Sequence, residues 1–160
     1  MTRIGITGHI HLTDETIDLV HTALQERLRP YDTCLTGVSC LAPGADTIFA
    51  GTVLALGGRL EVILPARSYR NQALPTDRLS TFDSLLNRAS SVRVMPYARP
   101  SPTAYRAANG AVLAAIDRLL AVWDGATGDP GSTADTVHAA KTLAIPVEII
   151  WPLGAQRSRI

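Results

Sequence analysis

Several common signals are scarce in this chain, and each scarcity excludes something. Cysteine occurs twice, at Cys34 and Cys40, too few for a disulfide framework and without the spacing of a metal site. Cys34 falls in an expected buried strand, where a thiol behaves as a small apolar group. Lysine occurs once, at Lys141, so arginine supplies the other cationic side chains. Fifteen cations against fourteen carboxylates leave a formal charge of +1, without the basic excess of a dedicated duplex-binding protein. Nucleic acid is therefore not an expected partner. No apolar run approaches the roughly 20 residues that span a bilayer, so no membrane partner is expected. The N-terminus, Met1-Thr-Arg-Ile-Gly-Ile-Thr-Gly8, reads as strand and turn, not as a charged segment followed by an apolar one. The cytoplasm is the expected compartment.

What is present is a regular alternation. With 46% hydrophobic and 18% charged residues over 160 positions, the chain is expected to bury one core. Residues 1–154 form the expected domain, and 155–160 a polar tail that frays. Strands are expected at Arg3–Thr7, Thr33–Val38, Leu60–Leu64, Val92–Met95, Leu119–Trp123 and Val147–Trp151. Helices are expected at Asp14–Leu28, Pro43–Leu56, Arg78–Ala89, Thr103–Asp117 and Thr133–Leu143. In the first helix Ile17, Val20, Leu24 and Leu28 recur at helical spacing behind a Thr13 cap. Strands alternating with helices imply an α/β fold: a three-layer, Rossmann-like parallel sheet of about six strands with helices on both faces. Such sheets bind ligands outside the carboxyl ends of their strands.

The unusual motifs fall at those ends. Ile4-Gly-Ile-Thr-Gly-His9 places Gly8 and His9 after the first strand, although the full dinucleotide fingerprint and its acidic ribose partner are missing. Gly37-Val-Ser39 ends the second strand, and Gly44-Ala-Asp46 opens the following helix. Asp124-Gly125 follows the fifth strand, and Gly131-Ser-Thr133 opens the next helix. Free amides at a helix N-terminus suit a phosphate. Arg70, on the loop from Pro65 to Thr76, is expected to close over it. His9 and His11 lie in a turn with nothing to complete a three-ligand set, so neither a metal nor a cofactor is expected. Any catalysis would rest on carboxylates, with Asp135 and Asp124 the candidates. Burial beside Trp123 is expected to raise the pKa of Asp124. Tyr69, Tyr97 and Tyr105 with Arg67, Arg70 and Arg99 would make only a small single-strand groove, and the near-neutral charge argues against it.

Two segments carry a resemblance. Gly37-Val-Ser-Cys-Leu-Ala-Pro-Gly-Ala-Asp46 resembles the Gly-rich, Gly-x-Asp helix start of DprA. Pro130-Gly-Ser-Thr133 resembles the phosphate loop of the Lonely Guy phosphoribohydrolases. Both groups belong to the SLOG superfamily of Rossmann-like domains. Leu120 to Val137 also looks like nucleoside deoxyribosyltransferases. The resemblance implies a nucleotide or nucleotide-derived small molecule as ligand, with its phosphate on Gly131, Ser132 and Thr133. The alternative it implies is hydrolysis of the N-glycosidic bond of a nucleoside 5′-monophosphate through an Asp carboxylate. The Lonely Guy loop carries a catalytic Glu three residues after its Thr; Thr136 stands there in this chain, and the nearest acid is Asp135. The Ala-rich helix Thr103–Asp117 would suit either core packing or a twin subunit, and a homodimer is the expected assembly.

Overall fold

The computed structural model describes residues 1–159. Six strands form one sheet in which every neighbouring pair is parallel. They are β1 (Thr2–Gly8), β2 (Leu35–Ser39), β3 (Arg59–Leu64), β4 (Ser91–Val94), β5 (Arg118–Val122) and β6 (Val147–Ile150), in the spatial order β4-β3-β2-β1-β5-β6. Six helices cross over the sheet: α1 (Asp14–Leu28), α2 (Ala45–Ala55), α3 (Tyr69–Ala73), α4 (Leu79–Arg88), α5 (Pro102–Ala114) and α6 (Thr133–Thr142). The expected three-layer α/β architecture is the one observed.

Local chemistry explains the boundaries. The Thr13 hydroxyl accepts from the Thr16 N–H at 3.2 Å and starts α1, satisfying one orphan amide of the first turn. Val20, Leu24 and Leu28 then bury completely, each worth roughly 1.5–3 kcal/mol relative to exposure, against Ile4, Phe49 and Val53. Ser101 caps α5, and Pro102 occupies its first position, where a missing N–H is harmless. β2 is buried at all five of its positions and β5 at four of five, because both faces of the sheet are covered. One face carries α1, α2 and α4; the other carries α5 and α6. Ala104 and Ala108 of α5 are buried in the core, so its small residues serve packing.

Three expectations change. The loop after β3 contains the five-residue α3. Cys34 lies in the turn before β2, not in the strand. Residues 156–158 of the tail pair back onto the β1 loop: Leu12 and Arg157 form an antiparallel bridge, Gln156 accepts from the Thr13 N–H, and Ser158 donates to the His11 carbonyl.

Candidate functional site

The chain leaves β1 toward α1 on one face and leaves β5 toward α6 on the other. Adjacent strands departing in opposite directions open a crevice at their carboxyl ends. A cavity of about 820 Å³ lies there. Gly8, at its floor, has no space for a side chain: a Cβ would collide with Ala45 and approach Val122 Cβ to 2.8 Å. Glycine thus brings β1, β5 and the start of α2 together.

Two helix starts form opposite walls. At α2, Gly44 has φ +80° and lies where a Cβ would come within 2.5 Å of the His9 and Ile10 carbonyl oxygens. The Ala45 N–H donates to the His9 carbonyl at 3.2 Å. Asp46, 7% exposed, lines the cavity, and its Oδ2 accepts from the Ala42 N–H at 3.3 Å. Burial pushes its carboxyl up to about 7, against the opposing pull of the Ala42 and Cys40 backbone. Burial raises the neighbouring Cys40 thiol as well, and the Asp46 charge adds to it.

At α6, the Gly131 N–H donates to Asp135 Oδ2 at 2.8 Å, the Ser132 N–H to the Asp129 carbonyl, and the Asp135 N–H to Ser132 Oγ. The Gly131 amide is therefore already satisfied and is not open to a ligand. Among the described residues, the Thr133 and Ala134 N–H groups have no protein acceptor, and both residues line the cavity. Asn109 of α5 steadies this loop by donating to the Gly131 carbonyl at 3.3 Å.

A third cluster lies at the rim. The Asp124 N–H donates to His9 Nε2 at 3.1 Å. Burial first, and the Arg157 charge second, hold the His9 pKa below its ordinary value. The neutral ring therefore accepts at Nε2 and carries its proton on Nδ1; only on protonation would Nε2 donate to Asp124 Oδ1, also 3.1 Å away. Burial pushes the Asp124 carboxyl up, but the Ala126 N–H, His9 and Arg157 together outweigh it and hold it below the usual range. The expected upward shift is thus reversed, first by the Ala126 N–H at 2.9 Å from Asp124 Oδ1, then by His9, and least by Arg157, whose Nε lies 3.2 Å from Oδ2.

Of the sequence candidates, Gly8, His9, Asp46, Gly131, Ser132 and Thr133 line the cavity. Asp124, Asp135, Gly37, Ser39, Gly44, Arg70 and Gly125 are not in its wall. Gly37 lies inside β2, where a Cβ would meet Val53 Cγ2 at 2.6 Å. Ser39 is buried and accepts from the Leu41 N–H. Arg70 is forked onto Asp83 at 2.8 and 2.7 Å and so does not reach a phosphate. Gly125 makes a turn at φ +86°. Asp135 is occupied by Gly131 and by Arg106 Nε at 3.2 Å.

The reading missed Arg157 and Asn109 as parts of this site. Asn109 left a signal, a lone amide in an Ala-rich helix; Arg157 left none. Tyr69 and Tyr105, read only as stacking candidates, sit edge to face in the wall with centroids 6.5 Å apart.

No protein-family model matches the sequence, and no curated protein is similar enough to count as a relative. Solved structures are similar in fold. DNA processing protein A (DprA) from Streptococcus pneumoniae superposes with a TM-score of 0.68 at 17% identity, over 95% of this chain and 51% of that one. The Helicobacter pylori DNA processing protein A, described for its single-stranded DNA binding mode, gives 0.69 at 17% identity, over 98% and 68%. The Chlamydomonas rheinhardtii Moco carrier protein gives 0.56 at 14%, over 92% and 74%. This chain thus spans about half of the Streptococcus protein and about two thirds of the Helicobacter one. At 14–17% identity these likenesses show a shared fold. The expectation against nucleic acid is corrected by the Helicobacter protein: a protein that contains this fold is described as binding single-stranded DNA, so nucleic acid stays among the candidate partners. Among the described residues, no helix is long and apolar enough to cross a membrane.

Proposed function

We propose that the cavity binds a nucleotide or nucleotide-derived small molecule. Its phosphate rests on the Thr133 and Ala134 amides and the Ser132 hydroxyl. Its heterocycle extends toward Tyr69 and Asp46. One observation carries this reading: at the start of α6 two amides remain without acceptors, and both residues line a cavity of about 820 Å³, ample for a nucleotide. The positive end of the helix adds its field to those donors. The Moco carrier protein, by its name a carrier of a small molecule, supports ligand binding by this fold.

Calorimetry with nucleoside 5′-monophosphates tests the proposal. Thr133 is the first helical residue after the Ser132 cap, where proline is tolerated. Thr133→Pro deletes one donor and should weaken monophosphates by about tenfold while leaving nucleosides unchanged. Equal loss for both, or no binding of any monophosphate to folded protein, overturns the proposal.

A second reading is single-stranded DNA, supported by the Helicobacter protein and by Tyr69 and Tyr105 in the wall. A 5′-phosphorylated oligonucleotide that competes with the monophosphate, with affinity that falls steeply in salt, would favour it.

A further inference from the structure

We infer that Asp46 reads the heterocycle of the bound ligand, and that the ligand presents the adjacent ring N–H and exocyclic NH₂ of a 2-amino-4-oxopyrimidine edge, as in guanine or a pterin. The inference rests on the phosphate reading above and deepens it.

Asp46 is the sole carboxylic acid buried among the described residues. The other carboxylates in close pairs have cationic partners: Glu61 with Arg3, Asp83 with Arg70, Asp124 with Arg157, Asp135 with Arg106 and Glu148 with Arg27. Asp46 has no such partner. A buried carboxylate without a cation is expensive, and backbone amides relieve only part of that, since its carboxyl stays raised to about 7. Capping the loop from Leu41 to Gly44 would need no such burial in a cavity wall. The titratable groups facing Asp46 are Cys40, just after β2, and Tyr69 of α3, with Tyr105 of α5 behind Tyr69. None is a cation. An ionised carboxylate only accepts hydrogen bonds, at about four lone-pair sites, and the Ala42 and Cys40 N–H groups take two. The complement is a ligand edge that donates twice in parallel. Guanine and pterin offer that edge. Hypoxanthine lacks its amino group, and adenine puts an acceptor in place of its ring N–H.

Calorimetry with GMP, IMP, AMP and XMP at pH 8 tests this. Wild type should prefer GMP over IMP and AMP by about tenfold or more. Asp46→Asn keeps the shape and the acceptor for the Ala42 N–H but replaces one acceptor by a donor. It should lose about tenfold for GMP and gain affinity for XMP, whose 2-oxo group accepts from the new amide. That gain cannot come from a misfolded variant. The wild-type preference should also collapse between pH 8 and 5.5 as the carboxyl takes a proton, a readout that needs no variant. Neopterin monophosphate separates the two sources: binding tighter than GMP assigns a pterin, weaker binding assigns guanine. If monophosphates bind with no preference for GMP, or Asp46→Asn weakens all four equally, Asp46 is only a cap and the inference falls while the phosphate site stands. If none binds, the phosphate reading itself fails.

Discussion

The starts of α2 and α6 share a local plan and differ in what their acids do. Each has a glycine in the left-handed region just before the helix, Gly44 at φ +80° and Gly131 at φ +85°. Each has an aspartate in the first turn, Asp46 and Asp135. At α6 the aspartate turns back onto the Gly131 N–H and pairs with Arg106. It closes its own loop and leaves two amides to the cavity. At α2 the glycine serves a neighbour, letting the β1 loop lie against the helix start, and the aspartate is buried without a cation. A first-turn aspartate is therefore ambiguous by itself. The solvent it loses and the cation it finds decide whether it closes its own turn or stays unpaired in the cavity wall.

The largest effect should come from the glycine that serves its neighbour. Gly44→Ala forces a positive φ on alanine and drives Cβ to 2.5 Å from two carbonyl oxygens of backbone that cannot swing away. A loss of about 4 kcal/mol follows from combining left-handed strain with that collision. Urea unfolding measures it; a loss under about 1 kcal/mol would show that the β1 loop does not depend on this contact.

Next in size is the pH response of Asp46. Its folded pKa of about 7 lies above the ordinary value of 3.8. Between those values the folded state holds a proton that the unfolded state has released, so stability falls as pH rises through that window and levels off above it. Asp46→Asn has no such proton. It should match wild type near pH 4 and exceed it by somewhat under ~4 kcal/mol at pH 8. Parallel urea midpoints across that range would show that Asp46 is not held as described.

These two regions also show what could be read before folding. The six strands and five of the six helices announced themselves, because apolar runs and helical periodicity are local properties. The five residues Tyr69–Ala73 are too few to show a period. The tail is held mainly through backbone groups, such as the Thr13 N–H on the Gln156 carbonyl, and backbone bonds leave no mark on side-chain composition. That Gly8, His9, Asp46 and the Gly131-Ser-Thr133 start gather at one cavity was legible because their positions lie at or just after strand ends. Gly37 was misread because glycine serves packing against Val53 as readily as it serves a ligand. Arg70 was misread because Asp83, thirteen positions away, claims it.

Gly131→Ala sharpens the contrast with Gly44→Ala. It meets the same left-handed strain, yet its Cβ would lie 3.2 Å from Tyr105 Cβ and farther from backbone oxygen. The loss should be about 1–2 kcal/mol, less than half of that at Gly44. Equal losses would mean that φ alone, and not the crowded β1 loop, sets the cost.

The smallest effect belongs to Asp124, the third acid at this edge. Unlike Asp46 it has cations at hand, and unlike Asp135 its cation, Arg157, comes from the tail. The pair is partly exposed, at 46% and 24% for the two side chains, so Arg157→Ala should lower stability by under about 1 kcal/mol. The informative change is in His9. Its folded pKa lies below the ordinary 6.5, through burial first and Arg157 second. As pH falls below that value the unfolded state gains a proton that the folded state refuses, so stability declines with acidity until the folded value is reached. Removing Arg157 lifts one of the two causes, so the His9 pKa rises and the acid-side decline becomes shallower. An NMR titration of the His9 ring in wild type and Arg157→Ala measures the shift, and its sign decides the matter. An unchanged or lowered pKa would mean that Arg157 does not act on this cluster, and that burial alone, as at Asp46, governs the histidine.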